Sequence, residues 1–136
     1  MKSALRFTSF CLIILFTGIW ACESSSRINL TGTWNITGPR LDFDIRLEES
    51  GNFLSWWAIS RQGYKDRKLE VEEFKRTENK IYIVLNEDLG IGKTTYTYDL
   101  ILQNNNLMTG TSSSYTGAWS GLPPIQNKVA ITFRKK

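Results

Sequence analysis

The first strand-like run of the chain reads Leu30-Thr31-Gly32-Thr33-Trp34-Asn35-Ile36. A glycine, one spacer and a tryptophan stand together at its start. Glycine allows the backbone to bend sharply as a chain enters a sheet. A tryptophan ring buries a large apolar area wherever it finds cover. The residues that follow decide what kind of sheet this run belongs to.

Alternation of apolar and polar residues continues from this run to the end of the chain. The clearest case is 41–47, where four apolar residues alternate with charged ones, which predicts a strand with one dry and one wet face. The turn at 49–52 and the run at 53–59 predict a hairpin. Further runs lie near 68–75, with a bulge near Glu72-Glu73, and near 81–85, 94–102, 107–111 and 128–135. About eight strands and no defensible helix predict an all-β fold, a single small up-and-down antiparallel barrel, with a two-sheet sandwich as the alternative.

Residues 28–136 resemble the lipocalin, or calycin, barrels, and most closely the small lipocalin-like domains of bacterial lipoproteins. The Gly-x-Trp opening made by Gly32 and Trp34 carries the resemblance, together with Arg134 on the last strand. In that family the tryptophan plugs one end of the barrel and an arginine of the last strand packs across it. The resemblance therefore implies that Gly32, Trp34 and Arg134 close the barrel. The chain lacks the helix and the disulfides usual in lipocalins proper.

The first residues of the chain are typical of a targeting segment. Lys2 and Arg6 precede an apolar run of about 14 residues, which is short of the roughly 20 that a membrane-spanning helix needs. The stretch Ile19-Trp20-Ala21-Cys22 resembles a bacterial lipobox. The resemblance implies a signal peptide at 1–21, a lipid on Cys22, a tether at 22–27 and a barrel domain at 28–136. A lipid-anchored protein of the cell envelope, more often of the outer membrane, is expected, with plain secretion or an uncleaved anchor as alternatives.

Charge and composition exclude several classes of function. The chain has 17 basic and 13 acidic residues, and loss of Lys2 and Arg6 with the leader would leave it nearly balanced, so nucleic acid is not an expected partner. There is no histidine, and both cysteines lie at or before residue 22, which predicts neither a metal site nor a cofactor. The strand carboxylates, at 42, 44, 48 and 99, should be solvated. We therefore expect a monomeric protein that is not an enzyme.

Aromatic residues are the candidates for binding. Trp56 and Trp57 are adjacent in a strand, so one should face inward and the other outward. Tyr96 and Tyr98 share a face with Leu100 and Leu102. Residues 112–127 are predicted to form a long Ser/Gly/Pro-rich loop that carries Tyr115 and Trp119. The expected ligand-binding set is Trp56, Trp57, Tyr96, Tyr98, Tyr115 and Trp119.

Two functions remain open on this sequence. The first is a binding module for a small apolar or amphipathic molecule. Its interior would be lined by Phe43, Ile45, Phe53 or Leu54, Ile83, Tyr96, Tyr98 and Phe133. The second is a protein-interaction or inhibitor role with a filled core, acting through the 112–127 loop on an envelope protein. Trp119 could equally be a plug that folds back over the barrel mouth.

Overall fold

The computed structural model describes residues 27–88, 90, 92–117 and 124–136, and these residues form a closed barrel of antiparallel strands. The strands are β1 (Gly32–Gly38), β2 (Leu41–Ser50), β3 (Phe53–Ala58), β4 (Arg67–Thr77), β5 (Lys80–Asp88), β6 (Lys93–Asn104), β7 (Leu107–Thr116) and β8 (Ile125–Lys135). Each strand pairs with its sequence neighbours, and β8 returns to pair with β1. The prediction of a small up-and-down barrel is confirmed, and the sandwich alternative is wrong. Across the described part of the chain, no helix has the length and apolar character needed to span a bilayer.

Because side chains alternate between the two faces of each strand, every second residue points into the barrel and fills it. The β1–β2 register sets Trp34 opposite Ile45 and Ile36 opposite Phe43, so inward residues of neighbouring strands meet side by side. Trp34, Ile36 and Ile45 are fully buried. Cross-strand pairs of this kind are the unit by which a sheet is stabilised. The interior is therefore a packed core over most of the barrel's length.

A bulge in β4 changes which of its residues face inward. The β4–β5 register shifts between Val71 and Glu73, which confirms the bulge expected at this place. An extra residue reverses the alternation for the rest of the strand. Phe74 therefore packs against the core, and two positions further on the Arg76 side chain is also buried. Without the bulge, the inward positions would fall to Glu73 and Lys75.

The long loop expected at 112–127 is wrong in its bounds. Strand β7 continues to Thr116 and β8 begins at Ile125, and residues 112–116 pair with 129–125 in register. The end of β7 does not alternate apolar with polar residues, because hydroxyl side chains take its inward positions. The Thr94 and Thr116 hydroxyls, for example, lie 3.0 Å apart across β6 and β7. Only residues 117–124 connect the two strands, and 118–123 lie outside the described residues.

The two ends of the barrel are built differently. Residues 27–31, the β2–β3, β4–β5 and β6–β7 turns and the C-terminal residues lie at one end, which we call the closed end. The β1–β2, β3–β4, β5–β6 and β7–β8 connections lie at the other, which we call the open end. In an up-and-down barrel, even-numbered and odd-numbered connections must separate in this way.

Candidate functional site

Trp34 closes one end of the barrel, and a lysine covers it. Its ring is fully buried, and its indole Nε1 donates a hydrogen bond to the carbonyl oxygen of Leu30 at 2.8 Å. Lys135 Nζ lies 5.4 Å from the ring centroid and 3.4 Å from the carbonyl oxygen of Asn29. The expected cation over Trp34 is therefore present, but the assignment to Arg134 is wrong, because Arg134 is exposed on the outer face.

The alternation of side chains along β8 explains why Lys135, and not Arg134, covers Trp34. Phe133 points inward and is fully buried, so Arg134 must point outward and Lys135 inward. Lys135 is also the direct cross-strand partner of Trp34. Gly32 makes room for it, because a Cβ atom there would lie 2.6 Å from Lys135 Cε. The φ of +141° at Gly32 also favours glycine.

A buried ion pair, which the sequence reading missed, completes the closed end. Glu49 accepts hydrogen bonds from Arg76 Nη1 at 2.8 and 2.9 Å, from the backbone N–H of Leu30 at 2.9 Å and from Arg27 Nη2 at 2.7 Å. The Glu49 and Arg76 side chains are only 6% and 4% exposed. Glu49 thus joins β2, β4 and the entry segment. Glu49 faces inward because it is two residues after the buried Leu47. Arg76 also faces inward, but strict alternation along β4 would not predict this, because the bulge shifts the register by one residue.

Three aromatic rings fill the middle of the barrel. Trp56 stacks on Tyr98 with ring centroids 4.8 Å apart, and Phe133 meets both rings edge-on at 6.0 and 5.9 Å. All three side chains are buried. Such stacked and edge-to-face pairs contribute about 0.5–1.5 kcal/mol each beyond their burial. The trio, which we call the aromatic layer, separates the closed end from the open end.

A cavity of about 270 Å³ lies above the aromatic layer at the open end. Its floor and walls come from the β1–β2 turn and from strands β2, β6, β7 and β8. The lining residues are Pro39, Leu41, Phe43, Tyr96, Tyr98, Ser112, Ser114, Asn127 and Val129. Phe43, Tyr96 and Tyr98 had been expected to line the interior, and all three face this cavity. The serines and Asn127 had not been expected there, since they were assigned to a loop.

The register explains how the polar residues come together. Tyr96 pairs with Ser114 and Ser114 with Asn127, so one row crosses β6, β7 and β8. One step deeper, Tyr98 pairs with Ser112 in the same way. These strands contribute hydroxyl and amide groups, whereas Leu41 and Phe43 of β2 contribute only carbon. The cavity therefore has one polar wall and one apolar wall.

Burial keeps the two tyrosines of the cavity neutral. Loss of solvent raises the pKa of the Tyr98 hydroxyl well above its ordinary value. Burial also raises the pKa of Tyr96, and the nearby negative charge of Glu87 acts in the same direction. Glu87 is itself buried and forms an ion pair with Arg67. Among the described residues that line the cavity, none carries a charge at neutral pH.

The remaining aromatic candidates lie apart from this cavity. Trp56 faces inward and Trp57 outward, and the Trp57 ring lies between Arg46 and Lys68, with Arg46 Cζ at 4.9 Å and Lys68 Nζ at 5.6 Å from its centroid. Cation–π contacts on both sides account for a tryptophan on the outer face. Tyr115 is 48% exposed near the end of β7. Trp119, like Cys22, lies outside the described residues.

The hairpin register decides which residue starts the inward face of β3. Ser50 pairs with Phe53 across a two-residue turn at Gly51-Asn52, and Glu49 pairs with Leu54. Leu54 is buried and Phe53 is 81% exposed. Of the two interior candidates, Leu54 is therefore the inward one. The turn is shorter than the 49–52 stretch that the sequence indicated.

Asp42 and Asp44, two of the strand carboxylates on the outer face, are paired with cations. Asp42 accepts from Arg61 Nη2 at 2.8 Å and Asp44 from Lys136 Nζ at 2.6 Å. Hydrogen bonds from these cations and from Asn35 lower the pKa of both carboxyl groups. Within the described ranges, no group of acidic residues is arranged to hold a metal ion. Ion pairing therefore accounts for the positions of the Asp42 and Asp44 side chains.

The fold and the cavity define a small closed β-barrel that is filled at one end and through its middle and open at the other, compatible with a lipocalin-like fold. Comparison with protein-family models, curated proteins and solved structures finds no match. The site must therefore be interpreted from its own chemistry.

Proposed function

We propose that this protein is a lipid-anchored binding module of the cell envelope, which takes up a small apolar or amphipathic molecule at the open end of its barrel and does not catalyse a reaction. One observation carries the proposal: the cavity of about 270 Å³, with one polar and one apolar wall, at the end of the barrel that the core does not fill. Concave, mostly apolar sites with a few converging polar groups are typical of small-molecule binding.

The proposed anchor is consistent with the position of this cavity. The lipobox-like stretch Ile19-Trp20-Ala21-Cys22 lies shortly before Arg27 in the sequence. Arg27 pairs with Glu49 at the closed end. A lipid on Cys22 would hold the closed end towards the membrane and leave the open end accessible. Glu23 after the cysteine favours the outer membrane by analogy with bacterial lipoproteins.

A cavity-filling variant with a matched control tests the ligand site. Ser114→Trp would place a large ring in the cavity, whereas Ser113→Trp changes the adjacent residue of β7, which does not line it. We expect small apolar and amphipathic probes to shift amide resonances of residues that line the cavity, and Ser114→Trp alone to abolish these shifts. Equal shifts in both variants, or no shifts in the unmodified protein, would contradict the proposal.

A second candidate, contact with an envelope protein, is favoured by the exposed residues beside the 117–124 connection. Tyr115 is 48% exposed and Ile125 is 61% exposed, and both flank the segment that carries Trp119. They point to opposite faces of the sheet, because Ile125 lies opposite Thr116 and Tyr115 lies opposite Gln126, so the candidate contact surface is the rim of the open end. If this function is correct, Trp119→Ala should weaken recovery of one defined envelope protein, and Ser114→Trp should leave it unchanged.

A further inference from the structure

We propose that the ligand of the open-end cavity is a compact, uncharged molecule with an apolar ring and a hydroxyl or amide group on one edge, of the class of phenols and cyclic alcohols. The inference rests on the proposed ligand-binding function and narrows it. It separates this barrel from carriers of long-chain carboxylic acids. The depth of the cavity, the chemistry of its walls and the charge of its lining residues support this inference.

The aromatic layer limits how deep a ligand can go. Tyr98 both lines the cavity and stacks on Trp56 at 4.8 Å. Phe133 closes the remaining side of the layer, with its ring centroid 5.9 Å from that of Tyr98. An alkyl chain that entered further would have to separate these rings and give up their packing. The cavity therefore accepts a short, wide molecule and has no channel for an extended chain.

The polar wall and the apolar wall determine how a ligand is oriented across the cavity. The row formed by Tyr96, Ser114 and Asn127 supplies hydroxyl and amide groups at the rim. The opposite wall, with Leu41 and Phe43, supplies only apolar surface. A ligand that is polar along one edge and apolar along the other satisfies both. A wholly apolar ring would displace water from Ser114 and Asn127 without replacing its hydrogen bonds, which lowers affinity.

Charge selects against ionised ligands. The described lining has no cation that could neutralise a carboxylate. Glu87 lies on the inward face near Tyr96, whose pKa it raises, and it forms an ion pair with Arg67. The two opposite charges largely cancel, so the pair offers an anionic ligand no free cation. An ionised ligand would lose its hydration without gaining a partner, which is costly in a partly buried site.

Three ring compounds of similar shape and one long-chain acid test these points by calorimetry at pH 7. They are 4-methylphenol, toluene, 4-methylbenzoate and dodecanoate. We expect 4-methylphenol to bind most tightly, toluene about 3- to 10-fold more weakly, since one net hydrogen bond is lost, and both carboxylates at least about tenfold more weakly. Asn127→Leu combined with Ser114→Ala should remove the preference for 4-methylphenol over toluene, whereas Ser113→Ala should preserve it.

The outcomes separate this inference from the function on which it rests. If 4-methylbenzoate binds as tightly as 4-methylphenol, or dodecanoate binds more tightly, the ligand class is wrong and the binding module stands. If the polar-wall variant keeps the preference, the orientation is wrong. If no probe binds, both the ligand class and the proposed binding function are overturned. Circular dichroism of each variant distinguishes loss of binding from loss of fold.

Discussion

Removing the charge of Glu49 should strongly destabilise the closed end of the barrel. Glu49→Gln keeps the shape of the side chain and one acceptor oxygen. It leaves the buried guanidinium of Arg76 without the counter-charge that now lies 2.8 Å away. The Arg76 side chain is 4% exposed, and its Nε already lacks a hydrogen-bond partner. Water therefore has limited access to the guanidinium and replaces the carboxylate only in part.

The expected cost is about 3 kcal/mol in the free energy of unfolding, the lower part of the range for breaking one side of a buried ion pair. For a domain of this size, that corresponds to a fall of about 10 °C in Tm. Arg27→Ala is the control: its side chain is 47% exposed, so its pair with Glu49 should contribute less than about 1 kcal/mol. Urea denaturation followed by tryptophan fluorescence measures both variants.

A double-mutant cycle refines the test. Arg76→Met removes the stranded charge while keeping similar volume, so Glu49→Gln with Arg76→Met should cost less than the two single changes added together, by about 2 kcal/mol. The reasoning fails if Glu49→Gln costs no more than Arg27→Ala. It also fails if the two single changes add, because the pair would then contribute nothing as a pair.

Three further changes test other parts of the molecule. Lys135→Ala should lower the free energy of unfolding by about 0.5–2 kcal/mol and lose its effect beside Trp34→Leu, whereas Arg134→Ala on the outer face should be nearly neutral; equal costs in urea denaturation would reverse our assignment. Burial raises the pKa of Tyr98 above its ordinary value of 10.0, so its contribution to stability is intact below pH 10 and is lost as the pH rises above it. Tyr98→Phe should flatten the alkaline limb of the stability profile, and an unchanged limb would contradict this. Cys22→Ser should move the protein from the membrane fraction to a soluble or uncleaved form, and mass spectrometry of native protein with an unmodified Cys22 would refute lipidation.

Alternation along single strands was enough to predict the barrel. The run from Leu41 to Leu47 shows its dry face without reference to any other strand, and repetition of this pattern leaves closure as the simplest way to remove sheet edges. The same reasoning failed at 112–116. There the inward side chains are serine and threonine, because they line a cavity and not a core. Local hydrophobicity cannot distinguish a polar inward row from a loop.

The residue that covers Trp34 could have been predicted from the sequence by following the alternation of the last strand to its end. Val129, Ile131 and Phe133 set the inward parity of the last strand, and that parity selects Lys135 and excludes Arg134. The resemblance to lipocalins supplied the right interaction and the wrong residue. Glu49 and Arg76 were less accessible, because their meeting depends on a bulge and on strands distant in sequence.

The cavity depended on information that no single strand contains. Tyr96, Ser114 and Asn127 come from three strands, and only the register brings them into one row. The sequence predicts that Trp56 and Trp57 point to opposite faces of the sheet, but it does not predict which of them points inward. That direction follows from the two-residue turn that sets Leu47 opposite Trp56. A one-residue change in the turn would exchange the two faces.

The inward residues change in chemical type along the barrel axis. Buried contacts that stabilise the barrel lie at the closed end, and polar side chains that line the cavity lie at the open end. The closed end holds the Glu49–Arg76 pair and the covered Trp34, and the aromatic layer follows it. Small hydroxyl and amide side chains line the barrel from the level of Tyr98 towards the open end, and they leave the volume of the cavity unfilled. Substitutions at Ser114 or Asn127 leave the buried contacts below untouched. If the cavity binds a ligand as we propose, its preference can therefore change without loss of the interactions that hold the barrel closed.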